Sequence, residues 1–252
     1  MNRGEARFSL LVAAHGERIA HAYNDNVKRL AANLAARATF SELRFGFLSG
    51  EPEMEDALLA FRSPSVLVYP LFMSDGYFAQ IAYDRLHDAA VRRIPSLRLQ
   101  ILPPLGLDPT LAGIVVRRAA AAAGAASFAP ADTNVVLVAH GSTRERASLT
   151  ATRTLAERIR KIGCFAQVSG VFLEQAPFLV DFLRRSPGPS VVVGLFTGEG
   201  LHGRHDLQGI LSSSPVDHII YAGNVGAWPE IADIVAATAT REILGDVAIV
   251  SS

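Results

Sequence analysis

Val135-Val136-Leu137-Val138-Ala139-His140-Gly141-Ser142-Thr143-Arg144-Glu145 decides the fold. An apolar, β-branched run stops abruptly at a histidine. The run is too short to span a membrane, and its unbroken apolar character is that of a strand buried on both faces of a parallel sheet. His140 is the first polar side chain after it. It therefore falls where the strand leaves the sheet, at the carboxyl edge, where open α/β sheets bind their ligands.

Working outward, the same pattern stands near the start of the chain, where Phe8 to Ala14 runs into His15-Gly16-Glu17. Arg3 and Arg7 ahead of that run imitate a short secretory leader. The recurrence of the pattern deep inside the chain argues for a first strand instead. Ala14-His15-Gly16 and Phe47-Leu48 fall at one constant separation from Ala139-His140-Gly141 and Phe172-Leu173. Pro70-Leu71-Phe72 falls on Gly194-Leu195-Phe196 one residue closer, and Pro109 falls on Pro229 closer still. Four landmarks kept in order indicate an internal duplication. The first copy reads strand 8–14, helix 18–37, strand 41–48, a short helix opened by Glu51-Pro52-Glu53, strand 66–72, helix 78–92, strand 97–102 and a helix from Asp108-Pro109 to about Ala123. Small, turn-rich residues 124–133 read as a linker. The second copy reads strand 134–139, helix 147–162, strand 166–173, a short helix opened by Pro177, strand 190–196, strand 217–222 and a last helix from Pro229. Alternating strands and helices predict two tandem α/β domains, residues 1–127 and 128–252. Each is a mostly parallel sheet flanked by helices with right-handed crossovers.

The chain has 252 residues, half of them hydrophobic, enough for proper cores. Its formal net charge is +0, so there is no basic field for nucleic acid or an anionic membrane, and neither partner is expected. No apolar run reaches transmembrane length. Cys164 is the sole cysteine, which excludes an internal disulfide or a cysteine-rich zinc site and points to the cytoplasm. No Gly-x-Gly-x-x-Gly follows the first strand, no phosphate-cradling loop is present, and no Gly-x-Ser-x-Gly elbow surrounds Ser142.

In the second half three strands each lead to a residue that can ligate a metal or accept a proton. These are His140, Glu174 and His202, the last in Thr197-Gly198-Glu199-Gly200-Leu201-His202. Parallel strands place all their carboxyl ends on one edge, so topology alone turns the three toward one cleft. In a doubly wound order the first and third strands are neighbours, which sets His140 and His202 on opposite lips. Two imidazoles and a carboxylate suit a divalent first-row metal such as Co, Fe or Ni, and they also suit proton transfer. Gly198, Gly200 and Gly203 leave room for something large and flat. Arg144, Arg146 and Arg204 can clamp the carboxylates of an acidic ligand. His205 could support His202 or simply be solvated, and Glu199 could ligate or only place charge near a helix start. His21, His87 and His218 have no partners legible in the sequence. In the first half the three positions read His15, Ser49 and Phe78, so one ligand of three remains.

Leu137 to Ser142, Phe172-Leu173-Glu174 with Pro177, and Leu195-Phe196 running to Gly200-Leu201-His202 resemble the sirohydrochlorin chelatases, the ATP-independent class II chelatases of cobalamin and siroheme synthesis. The likeness covers most of the second half and, more weakly, the first, so the whole resembles the long two-domain form. It implies two chelatase-like (flavodoxin-like) domains with a tetrapyrrole held between them. It implies insertion of Co²⁺, Fe²⁺ or Ni²⁺ into sirohydrochlorin or a related macrocycle. The family's two histidines map to His140 and His202 and its acidic residue to Glu174, while Ser142, His15 and the three arginines are candidates for substrate contact. The metal is then a substrate, and no resident cofactor is expected. Two departures stand out: Gly194 where the family commonly has a proline before Leu-Phe, and the run Gly203-Arg204-His205-Asp206 after His202. The rival expectation is a non-catalytic tetrapyrrole- or metal-binding protein on the same scaffold.

Overall fold

The computed structural model describes residues 8–16, 24–36, 40–142, 145–185, 188–198, 207–212 and 218–250. In chain order the first half runs β1 (Phe8–Ala14), α1 (Asp25–Ala35), β2 (Phe40–Phe47), α2 (Met54–Leu59), β3 (Ser65–Leu71), α3 (Tyr77–Arg93), β4 (Arg98–Ile101) and α4 (Leu111–Ala125). The second runs β5 (Asn134–Ala139), α5 (Ala147–Ile162), β6 (Gln167–Phe172), α6 (Leu179–Arg185), β7 (Ser190–Gly194), α7 (Leu207–Ser212), β8 (Ile219–Asn224) and α8 (Ile231–Val250).

Two four-stranded sheets result, ordered β2-β1-β3-β4 and β6-β5-β7-β8, with every pairing parallel. The fold class expected from the alternation of strands and helices is the one observed. In each sheet the first strand sits between the second and the third, so the order reverses beside it. That reversal opens a crevice at the carboxyl edge. Leu10, Leu11 and Val12 of β1 and Val135 to Val138 of β5 are all 0% exposed. Consecutive burial means that both faces are covered, which is why these strands read as continuous apolar runs rather than alternating ones.

Helix faces follow the same logic. Val27, Leu30 and Leu34 line the buried side of α1, and Ala151, Leu155, Ala156 and Ile159 that of α5. Gly163 ends α5 in the left-handed region (φ 77°), the usual glycine stop. The Asp108 side chain accepts the Thr110 N–H at 2.8 Å, so it caps the turn ahead of α4 as its sequence suggests. The short helices start later than Pro52 and Pro177 imply. Both prolines lie ahead of the helix, where their carbonyls accept the N–H of Phe47 and Phe172, each at 2.9 Å.

The chain forms two compact units. One combines β1 to β4 with the C-terminal helix α8; the other combines β5 to β8 with α4 and the segment Met73–Gly76. In contacts, α4 packs on β7, β8 and α5, and α8 packs on β3 and α1. A cut at 127/128 therefore separates the two sheets but not the two compact units. Among the described residues no helix is long and apolar enough to cross a membrane.

Candidate metal-handling site

The pairing of β5 with β6 continues past both strand ends. Leu173 N–H donates to the Ala139 carbonyl at 3.1 Å and Glu174 N–H to the His140 carbonyl at 3.0 Å. Two residues distant in sequence are thereby fixed side by side at the carboxyl edge, and their side chains meet with Nε2 of His140 3.5 Å from Oε1 of Glu174. The side chains are 39% and 57% exposed. A polar contact this open contributes at most about 1 kcal/mol to stability, so the fold does not depend on it.

The tautomer follows from the backbone. Nδ1 of His140 lies 3.1 Å from the Gly141 carbonyl, and a carbonyl only accepts, so Nδ1 carries the proton in the neutral ring. Nε2 then presents a lone pair toward a carboxylate oxygen, two acceptors facing each other. A proton or a cation between them resolves that mismatch. With metal–ligand bonds of about 2.0–2.2 Å, two donors at this separation subtend a roughly tetrahedral angle.

The loop after His140 has little freedom. Gly141 has φ 84°, and a Cβ there would stand 2.8 Å from Cγ of Gln175 and 3.0 Å from Cβ of Phe172. Ser142 N–H donates to Oε1 of Gln175 at 2.8 Å, and the Ser142 hydroxyl oxygen accepts the Glu145 N–H at 3.3 Å. Gln175 thus ties the histidine loop to the glutamate loop. Sequence reasoning missed it; its only signal there is adjacency to Glu174. Arg146 is exposed immediately ahead of α5.

Arg144, Glu199, His202, Arg204 and His205 lie outside the described residues. Among the described residues no group of three or more His, Cys, Asp or Glu is arranged around one point; of the three residues expected there, His140 and Glu174 lie side by side. The start of the third loop is fixed beside β5: Leu195 N–H donates to the Val138 carbonyl at 2.7 Å and Gly226 N–H to the Phe196 carbonyl at 2.9 Å. Gly194 also finds its reason here. A Cβ at that position would lie 2.0 Å from Oδ1 of Asn224, and Asn224 is buried and accepts the Tyr221 hydroxyl. A proline ring has no room.

The first half repeats this design with other chemistry. Leu48 N–H donates to Ala14 at 2.9 Å and Ser49 N–H to His15 at 2.8 Å. His15 Nδ1 lies 2.9 Å from the Gly16 carbonyl, and Gly16 has φ 78°. Ser49 occupies the place of Glu174. At the third position the Phe78 ring meets the His15 ring edge to face, with centroids 4.6 Å apart and planes at 85°. A cavity of about 510 Å³ along β6, lined by Arg153, Arg160, Phe178 and Arg185 among others, includes none of the site residues.

Residues 9–122 and 134–242 each match the CbiX family model. A protein of Halobacterium salinarum (strain ATCC 700922 / JCM 11081 / NRC-1) described as a probable sirohydrochlorin cobaltochelatase is 26% identical over 262 residues, covering 90% of this chain and 89% of that one. Among solved structures, CbiX, described as the terminal enzyme for biosynthesis of siroheme in denitrifying bacteria, is 27% identical, with a TM-score of 0.73 and coverage of 92% and 98%. DR2241 from Deinococcus radiodurans, a multi-domain protein described as structurally similar to chelatases, shares the fold. It is 24% identical with a TM-score of 0.74, and this chain covers 54% of its length.

Proposed function

Because the chain belongs to the CbiX family, we propose that it inserts a divalent metal ion, Co²⁺ or Fe²⁺ and by ligand chemistry also Ni²⁺, into sirohydrochlorin or a closely related tetrapyrrole, without ATP. The observation that carries this reading is the pair of facing acceptors, His140 Nε2 and Glu174 Oε1 at 3.5 Å, at the open edge of a parallel sheet. Imidazole and carboxylate together suit these borderline metals. Their exposure suits an ion that is delivered and given up rather than stored.

Metallation must strip water from the ion, remove two pyrrole protons and bring the ring nitrogens to the metal. His140 holds the ion through Nε2 and accepts a proton as the metal leaves it; Glu174 is the third ligand or the proton outlet. The second imidazole is His202. The internal repeat supports this, because Phe78, at the matching position of the first half, meets His15 in the described structure. The same spacing in the second half is the ground for assigning His202 as the partner of His140. Arg144, Arg146 and Arg204 hold the macrocycle's carboxylates by bidentate contacts, and Ser142 positions the loop between them. Such a reaction needs no resident cofactor and belongs in the cytoplasm.

The test is anaerobic incubation with Co²⁺ and sirohydrochlorin, following the absorbance change on metallation. The wild-type protein accelerates it over the buffer rate and His140→Ala does not. Tight binding of the tetrapyrrole with no acceleration would favour a carrier instead.

A further inference from the structure

β6 is the outer strand of the second sheet, paired with β5 alone, and the cavity of about 510 Å³ runs along it. Two helices bring cations to that opening. Arg153 and Arg160 stand two turns apart on one face of α5, and Phe178, Phe182 and Arg185 follow helical spacing into and along α6. No Asp or Glu is among the described lining residues, so three guanidiniums share one mouth in a chain of zero formal charge. Such a grouping is unfavourable unless an anion sits within it.

The scaffold does not demand these cations. The repeat that sets the buried Ala151, Thr152, Leu155 and Ile159 of α5 over Asn26, Val27, Leu30 and Leu34 of α1 sets Arg153, Arg160 and Arg185 over Lys28, Ala35 and Ala60. One cation of the three has a counterpart in the first copy. The arginines that make hydrogen bonds make them to uncharged groups. Nε and Nη2 of Arg160 donate to the Val168 carbonyl at 3.0 and 2.6 Å, and Nε of Arg185 donates to the Asp181 carbonyl at 3.0 Å. Their heads are thereby oriented while their charge stays uncompensated. The same bonds decide the shape of the occupant. A strand added to β6 would need its free edge groups, but the Val168 carbonyl is held by Arg160 and the Phe172 N–H donates to Pro177. The groove therefore suits a compact ligand and not an extended peptide.

We propose that this groove is a second binding site, for a small polyanion carrying two or more carboxylate or phosphate groups, held by Arg153, Arg160 and Arg185. Guanidinium forks grip either group through paired N–H donors, and the walls formed by Phe178 and Phe182 keep water from one side of those contacts. The cavity includes neither His140 nor Glu174, so its ligand is not the ion that those residues handle.

The experiment is calorimetric titration of the metal-free full chain at low ionic strength with two probes, citrate for the carboxylate class and inorganic pyrophosphate for the phosphate class. At least one binds at a single saturable site with Kd below about 1 mM, and the tighter of the two names the anionic group. Arg153→Glu and Arg185→Ala each weaken that binding by roughly tenfold or more. Arg153→Lys, which keeps the charge and loses the fork, is intermediate. Lys161→Glu reverses a charge on α5 outside the cavity and changes the affinity by less than about twofold. Arg146→Ala, at the mouth assigned to metal handling, also leaves it unchanged. Arg153 and Arg185 are exposed, so their loss leaves the fold intact, which thermal melting checks. The proposal is overturned if neither probe binds. It is also overturned if Lys161→Glu costs as much as Arg153→Glu, because only the general field would then be at work, or if Arg146→Ala abolishes binding, because the anion would then sit at the other mouth.

Discussion

Nε2 of His140 and Oε1 of Glu174 face each other at 3.5 Å because Glu174 N–H is hydrogen-bonded to the His140 carbonyl at 3.0 Å. The backbone of two parallel strands does the positioning, and the two side chains meet at the open edge of the sheet. Since both are well exposed, removing them costs the fold little. His140→Ala and Glu174→Gln are expected to shift stability by less than about 0.5 kcal/mol while lowering metallation kcat by roughly 10²–10⁴-fold. Thermal melting alongside anaerobic kinetics checks both halves of that statement.

Gly141 should tolerate no side chain. Its φ of 84° disfavours any L-residue, and Gln175 and Phe172 already fill the space a Cβ would take. Gly141→Ala is expected to cost about 1–3 kcal/mol and to displace His140, so that activity falls even at temperatures where the variant is folded. Denaturant unfolding combined with activity at low temperature separates the two effects.

Gln175 holds the two loops together through its acceptor oxygen on Ser142 N–H at 2.8 Å. Gln175→Ala loosens the His140 loop and raises the KM for Co²⁺ more than that for the macrocycle. Gln175→Glu keeps an acceptor oxygen in place and retains most of the activity. Equal KM changes for both substrates in Gln175→Ala would show that this tie does not act on the metal ligands.

Gly194 and Asn224 are a coupled pair. Gly194→Ala meets the Asn224 oxygen and is expected to destabilise by about 1–3 kcal/mol. Asn224→Ala alone loses the hydrogen bond to Tyr221 and costs about 1 kcal/mol. The double variant should cost less than the sum, because the second change removes the clash created by the first. Strict additivity in a denaturant double-mutant cycle would contradict this.

The central strands were legible because burial on both faces leaves an unmistakable continuous run, as in Leu10 to Val12 and Val135 to Val138. The repeat was legible because each copy must end its first strand in His-Gly to make the same turn. The exchange of α4 and α8 was not. An apolar helix face states that it must be buried but not against which of two similar sheets, and both helices follow the fourth strand of a copy. Gln175 was hidden for a different reason: a side chain that bonds a backbone N–H from another loop has no period and no partner type to reveal it. The role of Asn224 in excluding a proline at Gly194 is likewise a contact between strands that no spacing along the chain encodes. For the site itself, topology sufficed to place His140 beside Glu174, since adjacent parallel strands leave the sheet at one edge.

The proposed reaction requires two imidazoles and one carboxylate at a single ion in the second half. X-ray absorption at the cobalt edge of the anaerobic Co²⁺-loaded protein tests this most directly, by counting imidazoles around the metal. The wild-type protein is predicted to show two, and His202→Ala and His140→Ala one each. A wild-type spectrum with one imidazole or none, or one that His202→Ala leaves unchanged, would contradict it.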